Sequence, residues 1–229
     1  MPPTIRLVLF DIAGTLMQED GHTVNAYREI IAAEKFDADD AWIRSRIGMK
    51  KPTVMAELLA AAGRPEAEAD GLAEAFDAIM LEELHDRPPQ RLGGAAEAFA
   101  ALAASRITVG CITGFSREVA EAALAGLNLQ PALLVGSDEV PEGRPAPDLI
   151  HEAMRRAAAI SGDAADVKSS SAAQVAVVGD TPRDLECGTA AGCGMVVGVG
   201  HGTYRLDELQ PHPHSHLLED LHGLAALVI

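Results

Sequence analysis

Two aspartates and a threonine stand where chemistry is most easily assembled. Asp11 follows the run Leu7-Val8-Leu9-Phe10, Asp180 follows Val175-Ala176-Val177-Val178-Gly179, and Thr113 follows Ile107-Thr108-Val109-Gly110-Cys111-Ile112. Short apolar runs closed by turn-forming residues predict buried strands, and the residue just past each run lies at a strand end. A single strand-terminal Asp is explained equally well as a turn cap. Three strand ends that each bring a polar group point instead to a site. Two carboxylates crowded into a partly desolvated pocket repel one another unless a cation lies between them. Asp11 and Asp180 therefore imply a hard divalent ion, and Mg²⁺ suits carboxylates, a carbonyl and waters while bridging to a phosphate. Thr15 and Thr113 offer hydroxyls, and Gly14 and Gly114 let backbone N–H groups approach an oxyanion. Arg144, in Gly143-Arg144-Pro145-Ala146-Pro147-Asp148, adds a permanent cation on a proline-stiffened loop. The set fits a phosphoryl or phosphonyl group.

The elements that must position these residues fall into two kinds. After Thr15 only helical spacing is found, over 24–36, 40–47, 53–62 and 67–84, broken at Gly48, at Gly63-Arg64-Pro65 and at Arg87-Pro88-Pro89. From Gly93 the pattern alternates between helix and strand, with strands at 107–112, 133–136, 175–178 and 194–199 and a last short one at His216-Leu217-Leu218. That alternation predicts an α/β fold, an open parallel sheet of Rossmann-like type whose ligand lies beyond the carboxyl ends of the strands. The expected division is a core of residues 1–17 and 89–229, with an all-helical insert over 18–88. Residues near Gln18 to Gly21 and Arg87 to Pro89 are expected to act as hinges.

Composition narrows the classes. Eighteen basic residues against 34 acidic give a net charge of −16, which argues against a nucleic-acid or anionic-membrane surface. No apolar run reaches the ~18 residues that span a bilayer, and no signal peptide is seen, so a cytoplasmic location is expected. Cys111, Cys187 and Cys193 show no metal-ligand pairing and are expected to be core fillers in a reducing compartment. The serine-rich stretch 161–173 reads as a surface loop, and the tract His212-Pro213-His214-Ser215-His216 as an exposed loop rather than a metal site. The apolar faces of the helical insert leave pairing with a second copy of the chain open.

On these residues the chain resembles the haloacid dehalogenase-like hydrolase superfamily over nearly its whole length. Asp11-Ile12-Ala13-Gly14-Thr15 resembles its first motif, Ile112-Thr113-Gly114 its second, Arg144 its third, and Gly179-Asp180-Thr181-Pro182-Arg183-Asp184 its fourth. The helical insert then corresponds to a C1-type cap. The resemblance implies that Asp11 is a nucleophile forming an aspartyl-phosphate, that Asp11, the Ala13 carbonyl, Asp180 and Asp184 hold Mg²⁺, and that Thr15, Thr113, Gly114 and Arg144 contact the phosphoryl oxygens.

Ala13 is the informative departure. Phosphatases of the superfamily carry a second Asp there to protonate the leaving oxygen, help worth ~10²–10⁴ in rate. Ala at this position is similar to phosphonatase, which cleaves phosphonoacetaldehyde after a cap lysine forms a Schiff base. Gly48-Met49-Lys50-Lys51 matches the spacing of that lysine, pointing to Lys51 over Lys50. Lys51 precedes Pro52, which biases it away from helical geometry, and its place at a helix N-terminus beside Lys50 favours the neutral amine. Ile12, Ile47 and Val54 replace the Trp, Met and His of phosphonatase, and the third-motif region resembles a phosphonatase-like subgroup more closely. The implied substrate is a small carbonyl phosphonate. A phosphatase for small phosphomonoesters and a non-catalytic phosphate-binding protein are the alternatives.

Overall fold

The computed structural model describes residues 4–161 and 171–229. Six parallel strands form one sheet in the order β3-β2-β1-β4-β5-β6: β1 is Leu7–Phe10, β2 Thr108–Ile112, β3 Leu133–Val135, β4 Val175–Gly179, β5 Met195–Val199 and β6 His216–Leu218. β1 lies at the centre and is apolar along its whole length because both of its faces are covered. Val8 and Phe10 join a cluster with Ala98 and Leu102 of α5 (Ala95–Ala104), with the Phe10 and Phe99 rings 5.3 Å apart. Leu7 and Leu9 join the other cluster, with Leu149, Ile150 and Ala153 of α7 (Asp148–Ser161).

Register fixes where the site can form. Phe10 is level with Cys111 of β2 and with Val178 of β4, and the Asp11 amide donates to the Val178 carbonyl at 2.9 Å. The residues that follow these strands therefore emerge at one sheet edge, where the strand order reverses direction on either side of β1.

Between β1 and α5 the chain forms helices only: α1 (His22–Glu34), α2 (Asp40–Arg44), α3 (Lys51–Ala61) and α4 (Ala69–Asp86). Each answers to one of the four periodic segments. They pack through residues such as Ile30, Met55, Leu59, Leu72 and Met80, with Tyr27 against Phe76 at 4.7 Å between ring centroids. The two chain segments joining this block to the sheet run side by side, since Gln18 donates its amide to the Gln90 carbonyl at 2.8 Å and Leu92 to that of Leu16 at 2.9 Å.

Other expectations met different outcomes. A helical turn α9 (Leu206–Leu209) had no periodic signal, being too short to show one. After β6 the chain forms a 3₁₀ turn at Leu221–Gly223, capped by the Asp220 carboxylate, and α10 (Leu224–Val228). α6 (Arg117–Gly126) lies between β2 and β3, and α8 (Pro182–Ala190) follows β4. Cys111 and Cys187 are buried and Cys193 partly so, all as free thiols. Burial pushes the thiols of Cys187 and Cys193 up to about 12. His212 sits 3.2 Å from Glu186 and His214 bonds the His212 carbonyl at 2.7 Å, while His216 opens β6. Of the stretch expected as a serine-rich loop, residues 162–170 lie outside the described residues and 172–174 form a 3₁₀ turn leading into β4. No described helix is long and apolar enough to cross a membrane.

Because Leu9 is fully buried in the central strand, Leu9→Ala is expected to cost about 2–5 kcal/mol of stability, read as a lower urea midpoint at unchanged slope.

Candidate active site

Asp11, Asp180 and Asp184 converge beyond the ends of β1 and β4. One carboxylate oxygen from each lies within 4.8 Å of the other two, and all three side chains are buried. Different local rules bring each there. Asp11 and Asp180 follow their strands directly. Asp184 is the third residue of α8, where its carboxylate accepts from the Thr181 amide at 3.1 Å and hydroxyl at 2.6 Å, so the helix start orients it. Arg144 ties the group together. Its guanidinium is wholly buried, bonded to Asp11 at 2.8 Å and in close contact with Asp184. The Arg144 Nε is buried without a protein partner among the described residues.

Charge balance in this cluster decides what it can hold. Three carboxylates against one guanidinium leave a formal deficit of two positive charges. Asp180 registers the strain: burial first, and the Asp11 charge second, push its carboxyl up to about 7. Hydrogen bonds from Thr15 Oγ1 at 3.2 Å and the Thr203 amide at 2.6 Å act the other way. Buried oxygen donors short of two charges fit a hard divalent cation such as Mg²⁺.

Two expected oxyanion contacts are spent elsewhere. The Thr15 hydroxyl, expected on a phosphoryl oxygen, donates to Asp180. The Gly14 amide, also expected to approach an oxyanion, donates to the Met17 carbonyl at 2.8 Å and closes the turn after β1. Thr113 and Gly114 do face the cavity. Gly114 must be glycine, since a Cβ there would lie 2.5 Å from the Gly48 carbonyl oxygen. That close approach brings the sheet edge against the segment leading into α3.

The cavity between them is lined by Asp11, Ala13, Thr113, Phe115, Arg144 and Lys51, and its ~10 Å³ is room for about one water. The structure distinguishes the two adjacent lysines. Lys50 turns away and donates to the Val140 and Pro141 carbonyls at 2.6 and 3.1 Å. Lys51 is buried on the cavity, donating to the Met49 carbonyl at 3.0 Å. Three rings surround its amine, with Phe76, Phe115 and Tyr27 centroids at 5.1, 5.3 and 5.6 Å. Its pKa is pulled down to about 8, chiefly by burial, with Asp77 opposing and Arg144 adding to the fall. Burial, not the neighbouring Lys50 or a helix end, is thus the dominant cause. α3 also starts at Lys51 itself, and the extended residue is Lys50.

Several neighbours carried no motif. Tyr27, Phe76 and Asp77 come from α1 and α4, helices that read only as amphipathic. The usable signal was scarcity: the chain has five Phe, two Tyr and one Trp, and three of these surround one amine. Thr203 contributes a backbone amide, which leaves no trace in side-chain patterns.

The fold is shared with known proteins. A family model described as haloacid dehalogenase-like hydrolase matches residues 5–192, and the chain belongs to that family. The protein is accordingly a hydrolase. Among curated relatives, the phosphoglycolate phosphatase of Rhodospirillum rubrum is 27% identical over 201 residues, covering 84% of this chain and 78% of the relative. A hydrolase from Pseudomonas syringae shares the fold at TM-score 0.79 and 25% identity, covering 97% of each chain. A phosphonoacetaldehyde hydrolase-like protein from Oleispira antarctica superposes at TM-score 0.79 with 20% identity, covering 100% of this chain and 92% of its own.

A lysine whose folded pKa lies below its unfolded value makes folding less favourable wherever it must be charged. Stability is therefore expected to rise between pH 8 and 10.5 as the unfolded-state amine titrates. Lys51→Met should remove that component and raise stability at pH 7 by about 1–3 kcal/mol, measured by denaturant titration.

Proposed function

We propose that this hydrolase is Mg²⁺-dependent and phosphonatase-like, cleaving the C–P bond of a small carbonyl phosphonate of the phosphonoacetaldehyde type. One observation carries the reading: the buried Lys51 amine and the Asp11 carboxylate line the same cavity, where Ala13 leaves no side-chain acid for a leaving oxygen.

In this reading Lys51 Nζ, partly neutral because it is buried, attacks the substrate carbonyl and water departs, leaving a protonated imine. The aromatic faces around Nζ favour that cation. An Asp11 carboxylate oxygen attacks phosphorus, and the electron pair of the breaking C–P bond is taken up by the imine, giving an enamine. Expulsion of carbon this way needs no acid at position 13. Thr113, Gly114 and Arg144 orient the phosphoryl oxygens, and Thr15 steadies Asp180 instead of contacting substrate. Water then hydrolyses the aspartyl-phosphate, while the enamine is protonated at carbon and hydrolysed from Lys51. Mg²⁺, held by Asp11, the Ala13 carbonyl, Asp180 and Asp184, would supply charge neutralisation for the phosphoryl group.

A cavity for one water cannot admit such a substrate, so the reading includes opening. Residues 18–88 act as the cap and 1–17 with 89–229 as the core, hinged at the paired segments around Gln18 and Gln90. A cytoplasmic location and a small-molecule partner accord with this chemistry.

The second reading, a phosphatase for small phosphomonoesters, is favoured by the 27% identical phosphoglycolate phosphatase. The two separate cleanly. Borohydride with phosphonoacetaldehyde is expected to leave a reduced adduct on Lys51, seen by peptide mass. The adduct should persist in Lys50→Ala and Asp11→Asn and vanish in Lys51→Ala, with phosphate release lost in Asp11→Asn. An absent adduct across several carbonyl phosphonates, with Lys51→Ala still hydrolysing an aryl phosphate, selects the phosphatase.

The acid limb of kcat/KM should follow the Lys51 amine. The rate is expected to climb with pH toward about 8 and level above it, because the unprotonated form attacks.

A further inference from the structure

The helical block touches the sheet edge at a second place, away from Lys51. Arg44, the last residue of α2, reaches across to the loop after β5. Its Nη2 donates to the Thr203 carbonyl at 2.9 Å and to both Glu208 oxygens at 2.9 and 3.0 Å. Its guanidinium also lies 4.3 Å from the Tyr204 ring centroid. The amide of the same Thr203 donates to Asp180 Oδ2 at 2.6 Å. The loop is seated hard on the carboxylate, because a Cβ at Gly202 would fall 2.2 Å from the Gly14 carbonyl oxygen and 2.3 Å from Asp180 Oδ2. A parallel link runs from Arg183, beside Asp184, to the Ser45 carbonyl at 2.9 Å. One residue, Thr203, thus receives a charged donor from the helical block on its carbonyl and gives its amide to a carboxylate of the cation site.

We propose that Arg44 is a positioning residue: through the Thr203 peptide it couples the seating of the helical block to the orientation of Asp180, and hence to the affinity of the cation site. The inference rests on the proposed Mg²⁺ site. Partners that orient ligating carboxylates set metal affinity, and a coupling between two sites acts equally in both directions. With the block seated, Arg44 pins the Thr203 carbonyl and the amide points at Asp180. With the block displaced, the loop loses that anchor and Asp180 is held less firmly. Arg44 touches neither the substrate nor the cation.

Calorimetric titration of the whole protein with Mg²⁺ alone, without substrate, tests this. Arg44→Ala is expected to weaken Mg²⁺ binding about three- to tenfold, Arg44→Lys to recover part of the loss, and Arg205→Ala, an exposed neighbour, to stay within about twofold. Reciprocally, Mg²⁺ should slow amide exchange in α2 of the parent protein and leave it unchanged in Arg44→Ala. Arg44 is 43% exposed, so its removal should leave the fold intact. Should Arg44→Ala fail to fold, Arg44→Lys and Glu208→Gln carry the same comparison. Equal Mg²⁺ affinity in parent and Arg44 variants overturns the coupling alone. A parent protein that binds no Mg²⁺ removes the cation site and the proposal with it.

Discussion

Much of this molecule follows from three buried carboxylates gathered around one buried guanidinium. Asp11, Asp180 and Asp184 cannot all be ionised out of water without compensation, and Arg144 compensates for only one of them. Such a cluster survives folding only if the rest of the chain holds it. The parallel register of β1 and β4 supplies two of the carboxylates, the start of α8 fixes the third, and the loop after β5 spends a backbone amide on Asp180. Each device is costly or specific in sequence. The remaining charge deficit is what makes the cluster a site instead of a structural ion pair.

The Lys51 amine represents the opposite solution to burial. Asp180 is surrounded by hydrogen-bond donors, whereas Lys51 has one carbonyl and three aromatic faces. Desolvation favours the neutral amine, which is nucleophilic, and the ring faces favour a cation, which an imine becomes. In the proposed reaction the two influences would act at different stages. A surface lysine meets neither condition, because water already solvates its charge. This is why the orientation of Lys51 and Lys50, adjacent in sequence and alike in type, matters more than their identity.

The sheet and the acid cluster were legible in sequence for a simple reason. Buried parallel strands are written as apolar runs, and a polar residue directly after such a run stands out, as Asp11, Thr113 and Asp180 do. Lys51 was legible only through its spacing from Gly48, and the cause of its perturbed acidity was not. A helix end and a like charge are local features that can be read along the chain, but burial by Tyr27, Phe76 and Phe115 depends on three elements meeting in space. The hydrogen bonds that Thr15 and the Gly14 amide make were hidden for a related reason. A hydroxyl or an amide near a phosphate-type loop has several acceptors within reach, and here a carboxylate and the Met17 carbonyl took them. Thr203 left no signal at all, since any residue type except proline offers the same amide.

Ala13 connects these threads. A carboxylate at that position would line the cavity alongside Asp11, adding a fourth acid to a region already short of positive charge. Its absence lowers the electrostatic cost of the cavity, and it also removes the side chain best placed to protonate a departing oxygen. On the proposed reading, the group that would activate a leaving carbon is then the Lys51 amine across the cavity, carried on the helical block. On that reading, chemistry at phosphorus and the position of the helices would become inseparable. The contacts at Gly114, Arg44 and Arg183 that seat the block therefore belong to the site as much as the residues that face the cavity.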